Sequence, residues 1–202
     1  MKSRAREGAV VEARSRMKHA RSLSVLVLAA VIAGVWVSRA EPEPAQTASV
    51  FFAPSGKDRR IHKALEELLG EATKTVDIAM YQFTSPQLGD LVKKTARKAK
   101  VRLLIDSDQV KGSYSQDKGM RAKDNIEVRY VRLPGEGAER EKFHNKFCVV
   151  DGQVVATGSF NWTVLADEKN YENLLVLRDA KIAQEYAAEF DRVWNDDKVT
   201  SK

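Results

Sequence analysis

From Val50 onward the chain alternates between segments of helical and strand-like hydrophobic spacing. Ile61, Leu65, Leu68 and Leu69 recur every three or four positions and predict an amphipathic helix over about 57–71. Thr75–Tyr81 is a short β-rich run, and Pro86 opens a second helix toward Ala99 with Leu88, Leu91, Val92 and Ala96 as its stripe. Val101–Ile105 and Ile126–Val131 are apolar enough for strands buried on both faces. Phe143–Val150 and Gln153–Thr157 bracket Asp151-Gly152, a two-residue hairpin signal. Leu174–Leu177 is the last predicted strand and Ala180–Trp194 a closing amphipathic helix. This alternation predicts an α/β fold, a layered sandwich in which helices flank a mixed, mostly buried β-sheet. Two stretches break the rhythm, Asp108–Lys123 and Pro134–Lys142, and loops of that size in a compact domain are often functional.

The first 49 residues read differently. Leu23–Val37 is an apolar run of 15 residues, preceded by Lys18 and Arg21 and followed by Ser38-Arg39-Ala40. That layout is a secretory signal, and the run is shorter than the roughly 20 residues of a spanning helix. Met17 would begin a compact signal peptide of the same kind. Residues 1–40 are therefore expected to be a leader, 41–49 a Pro-punctuated linker and 50–197 the folded domain. The expected location is secreted or periplasmic, with a membrane association only if the leader stays attached as an anchor.

Charge changes the picture once it is divided along the chain. Residues 1–40 hold eight of the 34 Lys/Arg and two of the 28 Asp/Glu, which leaves 26 of each sign in the remainder. The basic excess belongs to the leader, so overall charge is no argument for nucleic-acid binding by the domain; any attraction for phosphate must be local. Cys148 is the single cysteine, which excludes an intramolecular disulfide. Within Phe147-Cys-Val-Val150 it reads as a buried, inert thiol.

The densest chemical cluster is His144-Asn-Lys146-Phe-Cys-Val-Val-Asp151, followed by Gly158-Ser159-Phe-Asn161-Trp162. Residues two apart on a strand share a face, so His144 and Lys146 are expected to project together, with the neighbouring strand bringing Ser159 and Asn161 beside them. An imidazole, an ammonium, a hydroxyl and an amide can hold phosphate oxygens while one ring nitrogen attacks phosphorus.

The order HxK, four residues, D, six residues, GSxN resembles the phospholipase D superfamily. Further likeness lies in Ile78–Ser85 (IAMYQFTS), Val101–Asp106 (VRLLID) and Asn170–Asn173 (NYEN), so that it spans about Phe51 to Trp194. The chain looks most like the branch with a single motif, that of Nuc-type bacterial endonucleases. The resemblance implies a metal-independent phosphodiesterase without a cofactor or metal. His144 would form a phosphohistidine, while Lys146, Ser159 and Asn161 bind the non-bridging oxygens. Glu172 would orient the imidazole through its other nitrogen. Asp151 and Gly158 fit the motif as structural members, since Asp151 falls in the turn. One motif per chain implies a homodimer with a shared active site, each copy supplying one His144.

The substrate favoured by this reading is nucleic acid, DNA or RNA, because no clear apolar patch occupies Asp108–Lys142. The rivals are a phospholipid hydrolase with the same catalytic atoms and a non-catalytic nucleic-acid binder. Other features have plain structural explanations. His62 belongs to a surface helix and His19 to the leader, and Lys93–Arg102 reads as a solvated helix face. Asp106 and Asp108 are placed to cap the turn after their strand, and Trp162 and Trp194 to pack.

Overall fold

A computed structural model describes residues 47–120, 125–135 and 137–201. The expected leader and most of the expected linker lie outside these. Among the described residues no helix is long and apolar enough to cross a membrane.

Among the described residues eight strands form one mixed sheet: β1 (Thr47–Ala53), β2 (Thr75–Met80), β3 (Lys100–Asp106), β4 (Ile126–Val131), β5 (Lys146–Val150), β6 (Val154–Gly158), β7 (Glu172–Arg178) and β8 (Thr200–Ser201). Their order across the sheet is β1-β7-β6-β5-β2-β3-β4-β8. β2, β3 and β4 run parallel, whereas β5 pairs antiparallel with both β2 and β6. The helices are α1 (Arg60–Glu71), α2 (Pro86–Thr95), α3 (Val164–Glu168) and α4 (Ala180–Trp194).

Strand alternation divides the interior into two cores. Val76, Ile78 and Met80 of β2, with Val101, Leu103 and Ile105 of β3, face the buried stripe Ile61, Leu65, Leu68 and Leu69 of α1. The intervening residues Ala79, Leu104, Phe147, Val149 and Val155 face Phe190, Val193 and Trp194 of α4. Both faces of the central strands are thus covered, which is why they read as nearly continuous apolar runs. Ser85 caps α2 by accepting from Leu88 N at 3.4 Å with Pro86 behind it, and Asp179 caps α4 by accepting from Lys181 N and Ile182 N.

The pattern misplaced several boundaries. The expected linker ends earlier, because Thr47–Ser49 already belong to β1, and the sheet extends past 197 to β8. β1 is an edge strand whose Phe51 and Ala53 pack inward while the equally apolar Val50 and Phe52 are exposed, so no polar alternation marks its inward face in the sequence. The second helix stops at Thr95 rather than Ala99. β5 begins at Lys146, leaving Phe143–Asn145 as extended chain before it.

The hairpin turns at the expected residues, with φ of 53° at Asp151 and 66° at Gly152, but Val150 pairs with Val154, so the loop takes in Gln153 as a third residue. The Asp151 carboxylate accepts from Thr73 N (2.9 Å), Thr73 Oγ1 (2.7 Å), Lys74 N (2.8 Å) and Thr75 N (2.8 Å). One side chain thereby satisfies the donors that enter β2 and fixes that strand against the β5–β6 hairpin. Partial burial pushes the Asp151 carboxyl up, but the bonds from Thr75, Thr73 and Lys74 outweigh it and hold it below its ordinary value. Its stabilisation is therefore complete above the unfolded carboxylate value of about 4 and disappears as pH falls through the lowered folded value. Asp151→Ala should cost about 1–3 kcal/mol near neutral pH, a difference from wild type that shrinks in acid when followed by urea melts across pH.

Candidate active site

The residues of the HxK and GSxN segments gather at one edge of the sheet, where β2, β3 and β4 end and β5 and β7 begin. Register explains the convergence. Lys146 opens β5 opposite Met80, the last residue of β2, and Phe147 lies opposite Thr157 near the end of β6. Gly158 then pairs with Leu174, just inside β7, whose first residue is Glu172.

His144 is not on the strand, as the two-residue spacing suggested, but on the extended segment leading into it. Its backbone is held on both sides: Asn145 O accepts from Tyr81 N at 2.9 Å, and Lys146 Nζ donates to His144 O at 2.7 Å. The imidazole is exposed and lies 4.5 Å, centroid to centroid, from the Tyr81 ring. Lys146 is 8% exposed, with Nζ 5.1 Å from the centre of the same ring. Tyr81 therefore links the two candidate residues, a role no sequence signal disclosed beyond its place in IAMYQFTS.

Burial has a chemical effect on both. Desolvation lowers the Lys146 ammonium to about 8, although the Glu172 carboxylate acts against the change. Partial burial and the charges of Lys146 and Lys142 lower the His144 imidazole, with Asp106 opposing them. A lowered imidazole is neutral at physiological pH, the state in which a ring nitrogen is nucleophilic.

Ser159 and Glu172 form the other half. Ser159 Oγ donates to Glu172 Oε2 at 2.5 Å and accepts from Asn173 N at 3.1 Å. The second Glu172 oxygen, Oε1, accepts from Asn170 Nδ2 at 3.2 Å. Among the described residues no hydrogen bond joins Glu172 to His144, so within one chain the carboxylate holds Ser159 rather than the imidazole. Asn161 is half-buried, and its Oδ1 has no partner among the described residues. Its segment is fastened to the loop after β2, where Thr84 N and Ser85 N both donate to Trp162 O at 2.9 Å. Trp162 packs edge-on against Phe83 at 5.0 Å, a structural role.

Gly158 is required by proximity, since a Cβ there would stand 2.2 Å from Asn173 O. The absence of a side chain lets β6 approach β7 and sets Ser159 beside Glu172. Asp151 lies at the opposite edge of the sheet and takes no part in this cluster.

Two cavities lie near this edge of the sheet, one of them bordered by His144. One of about 410 Å³ is lined by Phe143, His144, Asn145, Glu189 and Arg192. Another, of about 520 Å³, is lined by Ser107, Asp108, Lys111, Arg132 and Arg140, and Leu133 borders both. The expected turn cap is there too: Asp106 Oδ1 accepts from Asp108 N at 2.9 Å. The basic run divides rather than forming a platform. Lys93 pairs with Asp90 and Lys100 with Glu127. Arg102 pairs with Asp77 and Asp191 beneath Phe190 and Trp194. Among the described residues no group of three or more His, Cys, Asp or Glu side chains is placed to hold a metal ion.

Comparison with known proteins agrees with this geometry. Residues 65–194 match the family model described as cardiolipin synthase, PLD-like domain. The fold resembles that of NucT from Helicobacter pylori, with a TM-score of 0.68 and 24% identity over 74% of this chain and 96% of that one. It also resembles Nuc from Salmonella typhimurium, a phospholipase D family member, with a TM-score of 0.63 and 25% identity over 74% and 95%. The chain belongs to the phospholipase D superfamily, in its branch with one HxK motif per chain. Within it the chain is similar to proteins named mitochondrial cardiolipin hydrolase. Identity is 36% to that of Xenopus laevis over 140 residues, covering 69% of this chain and 63% of the relative. It is likewise 36% to the Homo sapiens protein over 135 residues, covering 66% and 50%. The match thus spans between half and two-thirds of these relatives' length.

The Lys146 ammonium is charged below about 8 and neutral above it. Stabilisation of the fold by sulfate, a phosphate mimic, should therefore fade as pH rises through about 8 in thermal melts. Lys146→Met should lack the response throughout, and Lys146→Arg should retain one at high pH.

Proposed function

We propose that this protein is a metal-independent phosphodiesterase that cleaves nucleic acid, DNA or RNA, through a phosphohistidine on His144. The observation that carries the chemistry is an exposed imidazole of lowered pKa beside a buried, still cationic Lys146. A neutral ring nitrogen of His144 attacks phosphorus, and the P–O bond to the leaving alcohol breaks. A second imidazole, protonated, gives its proton to that oxygen, then removes one from the water that cleaves the P–N bond. Lys146, Ser159 and Asn161 bind the non-bridging oxygens. Glu172 is a positioning residue, holding Ser159 at 2.5 Å and balancing the Lys146 charge.

The second imidazole is His144 of another copy. Ser159 is exposed, and neither the cavity lined by His144 nor its neighbour is lined by Lys146, Ser159 or Asn161, so one chain leaves the phosphate side of the site open. A homodimer would close it with the same patch from both subunits. The layout of residues 17–40 supports export of the domain.

For the substrate, the supporting feature is the cavity bearing Lys111 and Arg132, which shares Leu133 with the cavity that His144 lines and offers positive charge to phosphates. The second reading, phospholipid hydrolysis, is favoured by the relatives' name. Exposed Phe52 (58%), Leu165 (60%) and Tyr171 (93%) around the start of β7 also favour it.

Purified domain should cleave single-stranded DNA, duplex DNA or RNA in excess EDTA, faster than it releases phosphatidate from cardiolipin vesicles. The reverse ranking would establish the lipid reading, and loss of all activity with EDTA would sink the metal-free mechanism. His144→Ala should lower kcat on the order of 10³–10⁶-fold. In co-refolded mixtures of wild type and His144→Asn, activity should follow the square of the wild-type fraction; a linear dependence would mean each chain works alone. Arg132→Ala should raise KM for DNA roughly tenfold and flatten its salt dependence, while leaving hydrolysis of bis(4-nitrophenyl) phosphate unchanged.

A further inference from the structure

Asp106 ends β3 as a carboxylate with 0% exposure, and it makes more of its two oxygens than a turn cap requires. Oδ1 accepts from Asp108 N at 2.9 Å. Oδ2 accepts from Phe143 N at 3.0 Å and from Arg140 Nη1 at 3.2 Å. Phe143 directly precedes His144, and its ring is buried in the core beneath α4. Arg140 is held through all three of its nitrogens: its side chain is 8% exposed and also reaches Asp108 at 3.0 Å and Ser107 Oγ at 3.4 Å. The guanidinium therefore ties together the loop after β3 and the loop before β5.

We propose that Asp106 is a positioning residue for His144, acting with Arg140 to fix the chain that carries the imidazole at the edge of the sheet. This inference rests on the reading of His144 as nucleophile. Three bonds converge on that short stretch. Asp106 holds Phe143 N, Tyr81 N holds Asn145 O, and Lys146 Nζ holds His144 O. Asp106 alone of these comes from outside the β2–β5 seam, and it alone bears a negative charge. A fully buried carboxylate is costly to desolvate unless charge-assisted bonds compensate. Here every bond it makes goes to the two loops that meet at His144, and none to β4, its neighbour in the sheet. A simple strand-end cap needs only the bond to Asp108 N.

The charge matters as well as the geometry. His144 faces Lys146 of β5, Lys142 of its own segment, Tyr81 after β2, and Glu189, Arg192 and Asp196 across the shared cavity. Glu172 of β7 reaches it through Lys146. Asp106 opposes the nearby lysines, so it keeps the imidazole able to take up a proton during the reaction.

Asp106→Asn is nearly isosteric but cannot accept from Phe143 N, Asp108 N and Arg140 together. Assayed on bis(4-nitrophenyl) phosphate, the folded variant should lose roughly 10–100-fold in kcat with little change in KM. Both limbs of its pH profile should move to lower pH. NMR titration of the His144 ring, assigned by His144→Asn, should move the same way and needs no activity. Wild-type kcat and an unmoved His144 titration in Asp106→Asn would overturn the proposal. A wild type inactive on every phosphodiester, with the His144 titration still displaced by Asp106→Asn, would instead remove the hydrolase reading and leave the placement standing. If Asp106→Asn does not fold, Arg140→Lys decides: it keeps the charge but not the fork, and should lower kcat with an unchanged fold. Unaltered kcat there would overturn the proposal.

Discussion

The ladder between β2 and β5 joins two differently built halves of one sheet. On one side β2, β3 and β4 run parallel; on the other β5, β6, β7 and β1 form an antiparallel meander with its order rearranged. Five residue pairs, from Val76 opposite Val150 to Met80 opposite Lys146, carry that junction. At one end Asp151 binds the donors that lead into β2, and at the other Lys146 emerges toward His144. A parallel strand and an antiparallel one end together only at such a seam, so loops from both halves can meet there. The candidate site is built on that meeting point, in the way that crevices form where sheet topology changes direction.

Electrostatics at the seam are a balance between burial and compensation. Lys146 sits where its stem is covered by the core and its ammonium still finds the His144 carbonyl, the Tyr81 ring and the field of Glu172. Full burial without those partners would leave a neutral amine useless for holding phosphate. Full exposure would leave a hydrated cation with little purchase on a dispersed negative charge. The intermediate position leaves an ammonium lowered to about 8, still charged near neutral pH, as the proposed reaction requires.

Much of this was legible in the sequence because it depends on short-range order. The central strands β2, β3 and β5 and the helices α1 and α4 announce themselves through spacing. The chemical set His144, Lys146, Ser159 and Asn161 follows from two segments separated by one hairpin. What escaped depends on contacts between distant segments. β1 was obscured by its exposed alternate face, and α3, five residues long, has too little periodicity to register. Tyr81 touches His144 only because Asn145 continues the β2–β5 pairing beyond the regular strand. Glu172 was identified from the motif, yet its bond to Ser159 depends on how closely Gly158 lets two strands approach. The link from Asp106 to Phe143 crosses 37 positions and leaves no local trace.

Cys148 carries a consequence outside catalysis. It is 1% exposed within β5, and burial pushes its thiol up to about 12, so the thiolate is scarce at any physiological pH. The sole sulfhydryl of the chain is therefore chemically silent in the folded protein. A fluorophore, spin label or crosslinker directed at an introduced surface cysteine would report from that one chosen position, without first removing a native residue from the core. The same thiol becomes reactive when β5 leaves the sheet, so its alkylation rate is a built-in clock for opening of the seam.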